Sequence, residues 1–362
     1  MLAGRGKLMH PTCGEVALPL LVPAFTSKGF DLRRHRNHLY SEIVFELEEF
    51  GRRPQRSTLV SAYDMHFGHL CQRPSASTRR DLLGEAHLRN TTIVVVDSGG
   101  YELSPSYDSS EPEWPRYQPR GGYGPAEYEQ VLERLANLHP PLPMIITNFD
   151  HGARGLAIAE QVSRARTLFR KFRNVLTSFI LKPWTKGGKV VTPRDMSSED
   201  FGNLRGFDVV GITEKELGKN LMDRLKAVAV LRRGLTSAGI DAPIHIWGGL
   251  DPIMTPLFFF AGAQVFDGVS WLRYAYWKGV AIHRNCHALL SDLGVTESYA
   301  MTHAHASMTS LSFLNKLTIA LEQWVDCDGK RFDMFEENVR QYLKTAFLVM
   351  KIRISEISEA AR

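Results

Sequence analysis

Short apolar runs recur along most of the chain and are separated by longer stretches with helical spacing. Eight of the runs read as buried strands: Leu18–Ala24, Thr58–Ala62, Thr92–Val96, Met144–Phe149, Leu176–Leu181, Asp208–Ile212, Ile244–Trp247 and Gln264–Phe266. Most of them end in a polar residue or a glycine. Between them, Ala126–Asn137, Leu156–Phe172 and Lys219–Ala238 carry the periodicity of amphipathic helices. Buried strands alternating with such helices predict a parallel sheet, because crossover helices cover both of its faces. Eight repeats predict closure, so the expected fold class is α/β, a (β/α)8 TIM barrel, with an open doubly wound sheet as the alternative.

Two regions break the repeat. From Glu102 to Pro125 the chain is crowded with Pro, Ser, Tyr and Gly and is too long for an ordinary strand-to-helix loop, which predicts a lid or substrate loop. After about residue 291 the strands stop, and Met308–Trp324 and Phe335–Ile357 predict a C-terminal helical appendage. The expected organisation is a barrel catalytic domain over 1–290 and a helical region over 291–362. Both irregular regions are also compatible with solvated decoration of the barrel.

Composition narrows the class only a little. A chain of 362 residues fits a barrel of about 250 residues plus an addition. The 44% apolar content supplies a large core, and 23% charged residues exclude a disordered, solvating chain. A net charge of +5 suits a phosphate-bearing partner without requiring one. Cys13, Cys71, Cys286 and Cys327 form no CxxC pair, so no disulfide framework or cysteine zinc site is expected, and a reducing cytoplasm is the expected compartment. Pro19 and Pro23 interrupt the apolar stretch from Ala17 to Phe25, so no membrane span is expected.

In a barrel the residues just after the strands form one surface, at the C-terminal face. Here they are Asp97 with Gly99, Gly100 and Tyr101, then Asn148, Asp150 and His151, then Lys182, then Gly211 and Ile212. Trp247, Gly248 and Gly249 follow, and Asp267 with Arg273 complete the set. Either Asp alone is explained equally well as a turn or helix cap, and isolated aromatics such as Tyr101 and Trp247 are more often core residues. Two carboxylates in matching strand-to-glycine contexts, Asp97-Ser98-Gly99-Gly100 and Asp267-Gly268, tilt the reading toward catalysis. Bare glycine backbone lets a flat ligand come close. The chain has neither a phosphate-binding GxxxxGK[ST] loop nor a dinucleotide fingerprint. A planar heterocycle is therefore the expected ligand, and paired carboxylates beside one point to glycosidic chemistry.

The run Asp97-Ser98-Gly99-Gly100-Tyr101 resembles the DSGG[FY] motif of the tRNA-guanine transglycosylase family, barrel enzymes that exchange a guanine in a polynucleotide for a 7-deazaguanine. Phe266-Asp267, preceded by Gly262-Ala263, resembles that family's FD nucleophile motif, and Arg273 lies at its following arginine. The resemblance covers roughly Ala17 to Gly279. It implies Asp267 as the nucleophile on C1′ and Asp97 as the base for the incoming heterocycle. It further implies Asp150 as reader of the guanine edge, Tyr101 and Trp247 as stacking faces, Gly211, Ile212 and Gly248 as backbone around the base, and Lys182 and Arg273 as substrate contacts.

The departures from the family pattern are specific. Lys182 stands where the family has a base-binding glutamine, and Glu102 replaces the glutamine after the aromatic. The CxCxxC zinc cluster is missing. His303 and His305 lie in the corresponding region, where surface or packing roles are expected, so no metal and no cofactor is expected. Tyr276 stands where a second tRNA-contacting arginine is usual. These differences resemble the DpdA-type branch, the 7-deazaguanine DNA transglycosylases, more than the tRNA enzymes. The resemblance thus implies a transglycosylase installing a base such as preQ0 into DNA, with tRNA as the alternative polymer. Expected phosphate contacts are Arg33-Arg34-Arg36, Arg52-Arg53-Arg56, Arg164-Arg166-Arg170-Lys171-Arg173 and Lys182-Lys186-Lys189. A non-catalytic nucleic-acid-binding subunit and an enzyme acting on free nucleosides stay open as rivals, and so does a homodimer or an accessory partner.

Overall fold

The computed structural model describes residues 3–30, 32–35, 38–41, 43, 46–47, 50, 54–70, 88, 90–104, 118–291, 293–294 and 296–360. Eight parallel strands close into a barrel: β1 (Leu20–Phe25), β2 (Gln55–Ser61), β3 (Thr91–Asp97), β4 (Met144–Thr147), β5 (Leu176–Ile180), β6 (Val209–Thr213), β7 (Ile244–Trp247) and β8 (Val265–Gly268). They neighbour one another in chain order, and β8 returns to β1 through the register Val265↔Leu20 to Gly268↔Pro23. The protein is thus an α/β barrel, and each of the eight expected strands is present. The largest boundary difference is at β2, which begins at Gln55 rather than Thr58.

Alternation along each strand divides the apolar residues into two layers. Val22, Leu59, Val95, Ile145, Ile180, Val209 and Val265 pack together in the lumen. Phe25, Val60, Val96, Ile146, Phe179, Ile212, Ile246 and Phe266 face the surrounding helices. Those helices include Pro125–Ala136, Ile158–Phe169 and Leu221–Ser237, close to their expected ranges. Among the described residues no helix is long and apolar enough to cross a membrane.

An N-terminal antiparallel hairpin, Gly6–His10 with Gly14–Leu18, closes one end of the lumen. Its Leu8, Val16 and Leu18 join the lumenal cluster, and the His10 ring reaches the backbone of Met144, the first residue of β4. This plugs the N-terminal face of the lumen. Two further hairpins lay outside the sequence expectation, Leu32–His35 with His38–Ser41 and Tyr274–Trp277 with Val280–His283. In the latter, Lys278 and Gly279 both have positive φ, which suits a two-residue turn between twisted strands.

The C-terminal helices are Tyr299–Asp326 and Glu337–Ala360. The first packs on β1, and the second packs against Leu221–Ser237 and Met254–Ala261. Trp324 is fully buried, its ring 4.4 Å from that of Phe260. Both helices therefore share the core that surrounds the barrel.

Candidate active site at the barrel mouth

The alternation that fills the lumen with Ile93 and Val95 brings Asp97, the last residue of β3, to the inner rim. On β8 the same rule places Asp267 two residues beyond Val265. Past β3 the chain turns at Gly99, whose N–H donates to Asp97 Oδ2 at 3.1 Å. Gly100 is required by Asp150, because a Cβ there would lie 2.7 Å from its Oδ1. Ser98 completes the turn by donating from Oγ to Asp150 Oδ1 at 2.7 Å. The DSGG run thus shapes one carboxylate and seats a second.

Three carboxyls around this turn are held in different states. Asp97 is buried, which raises its pKa well above the usual range, and the charges of Glu102, Asp150 and Asp267 push it further the same way. Burial first and the Asp64 charge second raise Glu102 to about 7, although the Thr26 and Ser61 hydroxyls donate to it. Asp150 goes the other way. Burial would raise it, but the Lys182 ammonium and the Ser98 hydroxyl hold it below the ordinary carboxylate range. Lys182 Nζ forms ion pairs with Asp150 Oδ2 and Glu216 Oε2, each at 3.0 Å, and donates to Thr213 Oγ1 at 3.1 Å. Burial works to lower the Lys182 pKa, but Asp150 and Glu216 together raise it. Arg154 backs Glu216 from the solvent side at 2.5 Å.

Glu102 makes this charge pattern visible in stability. Its folded pKa is raised from 4.5 to about 7, so the folded chain holds a proton that the unfolded chain releases. The resulting stabilisation is complete below the unfolded value and is lost as pH rises through about 7. Glu102→Gln should therefore gain on the wild type as pH goes from about 5 to about 8, by on the order of 3 kcal/mol. Urea unfolding of both proteins at each pH measures the gap, and a gap independent of pH would contradict the protonated carboxyl.

Asp267 is anchored through one oxygen only. His245 Nε2 lies 3.0 Å from Oδ1, and the Gly248 N–H donates to the same atom at 3.1 Å. Oδ2 has no hydrogen-bond partner among the described residues. Trp247 lies over His245, with ring centroids 4.1 Å apart and 31° between planes, and its indole crosses Gly211. A Cβ at Gly211 would meet the indole nitrogen at 2.3 Å, so that glycine makes room for the tryptophan. The buried Trp247 Nε1 has no hydrogen-bond partner among the described residues.

The remaining expected contacts fall in varied surroundings. Ile212 points into the helical layer, away from the lumen, and the Gly211 carbonyl accepts from the Leu181 N–H at 2.9 Å. Arg273 is buried; it donates to the Tyr101 hydroxyl at 3.1 Å and to the Lys28 carbonyl at 3.3 Å. Lys28, just past β1, sits 4.2 Å from the Tyr101 ring centre and donates to the carbonyls of Tyr101 and Ser104, both at 2.7 Å. One face of Tyr101 is thus taken. Of the expected lid, residues 105–117 lie outside the described residues. Its far end is seated by the Arg120 N–H on the Tyr63 hydroxyl and by the Tyr123 hydroxyl on the Ser98 carbonyl.

Residues not singled out from sequence complete the mouth: Thr26, Lys28, Ser61, Ser98, Glu216 and above all His245. The signal for His245 was a polar side chain two residues before Trp247 in an apolar strand, which puts both on the lumenal face.

The basic runs divide by position. The helix Ile158–Phe169 descends the outside of the barrel for about 18 Å, so Arg170, Lys171 and Arg173 lie toward the plugged face. Arg164 pairs with Glu160, Lys171 with Glu129, and Arg166 with the carbonyls of Asn203 and Arg205. Arg56 pairs with Glu322. Lys186 and Lys189 are exposed in the loop after β5, on the mouth side. Arg36, Arg52 and Arg53 lie outside the described residues, as do the side chains of Arg33 and Arg34.

Both ring nitrogens of His303 are engaged, one by Leu272 O at 3.1 Å and one by Glu46 at 2.9 Å. His305 stacks on His287. Among the described residues no three His, Cys, Asp or Glu side chains are grouped to hold a metal ion. No protein-family model and no curated protein matches the chain.

Proposed function

We propose that the protein is a transglycosylase that removes a guanine from a nucleic acid and installs a 7-deazaguanine such as preQ0, through a covalent intermediate on Asp267. The observation that carries this reading is the contrast between two carboxyls at one mouth. Asp97 is kept at a raised pKa by burial and by its acidic neighbours, whereas Asp267 is oriented by two donors on one oxygen with the other unbonded. A carboxyl that holds a proton readily, beside a second one aimed by donors on a single oxygen, suits a division of acid–base and nucleophilic work. In the first half, Asp267 Oδ2 bonds to C1′ and the C1′–N9 bond breaks, while Asp97 gives its proton to the departing guanine. In the second half, Asp97 takes a proton from the incoming base, whose N9 bonds to C1′ as the ester bond to Asp267 breaks.

The ionised Asp150 is an acceptor suited to the N–H edge of guanine, and the Asp150–Lys182–Glu216 cluster fixes its orientation. The outer face of Trp247 is the proposed stacking surface, with the Tyr101 ring nearby at the same mouth. A base inside such a mouth must be flipped out of its stack or come from a single strand. DNA is the preferred polymer. Tyr276 is 1% exposed and donates to the Leu250 carbonyl, so it is a core residue and offers no anchor to a backbone phosphate.

A second reading, exchange on free nucleosides, draws on the internal pairing of Arg164, Arg166 and Lys171. One experiment separates the possibilities: labelled preQ0 offered with duplex DNA, single-stranded DNA, tRNA and free guanosine in parallel. Incorporation into DNA, with activity falling as salt rises because Lys186 and Lys189 meet phosphates, is the expected result. Incorporation into tRNA would change the polymer. Labelling of guanosine alone, insensitive to salt, would replace the reading with the second.

A further inference from the structure

We infer that His245 is a positioning residue for Asp267: it reserves one carboxylate oxygen for attack and eases the departure of the carboxylate in the second half of the exchange. The inference rests on the base-exchange reading above. His245 is 1% exposed, lies on the lumenal face of β7, and is fixed from above by the Trp247 ring. Its Nε2 lies 3.0 Å from Asp267 Oδ1, and the Gly248 N–H donates to that same oxygen at 3.1 Å. An ionised carboxylate only accepts, so Nε2 must carry the proton.

Two donors on Oδ1 and, among the described residues, none on Oδ2 make the two oxygens unequal. Oδ1 is oriented and partly neutralised, and Oδ2 keeps its lone pairs for C1′. Once Oδ2 has bonded to the sugar, Oδ1 is the carbonyl oxygen of an ester and carries less charge than it did in the carboxylate. When the N9 of the incoming base displaces the ester, the electron pair of the breaking C1′–Oδ2 bond returns to Asp267 and the charge on Oδ1 grows again. A donor already in place at that atom strengthens as the charge develops, in the manner of preorganised oxyanion stabilisation. His245 therefore favours the second half of the exchange over the first.

The test uses the full chain, the polymer that the wild type accepts, and preQ0. His245→Phe keeps a ring beneath Trp247 but removes the donor, whereas His245→Gln carries an N–H near the position of Nε2. The adduct is isolated after guanine release, and its discharge by preQ0 is followed by rapid quench and denaturing electrophoresis. Discharge should slow roughly ten- to hundredfold in His245→Phe, the size of a lost hydrogen bond to a charged group, with adduct accumulating at steady state. His245→Gln should recover most of the rate. His245→Asn is too short to reach Oδ1 and should match His245→Phe; it supplies the same comparison if the Phe variant does not fold. Wild-type discharge in the donor-free variant, or equal slowing in the Gln and donor-free variants with folding intact, overturns the role of His245 while leaving base exchange standing. Absence of any adduct in the wild type overturns both.

Discussion

Asp267→Asn should abolish exchange, by roughly a thousandfold or more, and should leave no protein–nucleic-acid adduct that survives denaturation. The loss is large because the substitution removes the attacking atom itself. Shape is nearly conserved, and the His245 and Gly248 donors keep an acceptor at the amide oxygen, so folding should be little affected. Asp97→Asn should behave differently. It removes the group whose raised pKa suits it to pass a proton between the two bases, so both halves should slow and exchange should fall by about 10²- to 10⁴-fold; the adduct should still form, more slowly, and should then persist because the incoming base is not deprotonated. Denaturing electrophoresis with labelled polymer distinguishes the two variants after circular dichroism has shown both to be folded. An adduct that persists in Asp267→Asn and vanishes in Asp97→Asn would exchange their roles.

The largest effect on stability is expected at Lys182. Its ammonium lies within 3.0 Å of both Asp150 and Glu216, and all three side chains are buried. Lys182→Met keeps the length of the side chain but strands the charge of Asp150, so near neutral pH it should cost on the order of 3–5 kcal/mol. The sign with pH follows from Asp150, whose folded pKa lies below its unfolded value. Its contribution is present above the unfolded value and is lost as acid protonates it. The gap between wild type and Lys182→Met in urea unfolding should therefore narrow as pH falls below about 4. A variant as stable as the wild type at neutral pH would show that the cluster does not hold Asp150 ionised.

How much of this was legible in the chain varies with the range of the interaction. The barrel strands were readable because burial on both faces makes each one nearly continuous in apolar residues, as in Thr91–Asp97. Asp97 and Asp267 were readable because each ends such a run at a glycine. The hairpin Gly6–His10 with Gly14–Leu18 was not, since its short strands alternate only weakly and its meaning depends on the lumen it plugs. His245 sat inside an apolar strand, and its role became visible only once β8 placed Asp267 beside it. Lys182 was assigned to substrate from its place after β5. Its partners Thr213 and Glu216 come from the end of β6 and the turn beyond it, a juxtaposition that no local pattern announces. The basic run from Arg164 to Arg173 showed charge without direction, and the descent of its helix is what carries the end of that run away from the mouth.

Base exchange by this route requires a sugar bound covalently to one carboxylate. Rapid acid quench of the wild-type protein with guanine-containing single-stranded DNA, followed by proteolysis and mass mapping, tests that directly. The expected product is a peptide carrying deoxyribose on Asp267, formed as guanine is released and discharged when preQ0 is added. Release of guanine and uptake of preQ0 with no modified peptide, or with the sugar on Asp97, would contradict it.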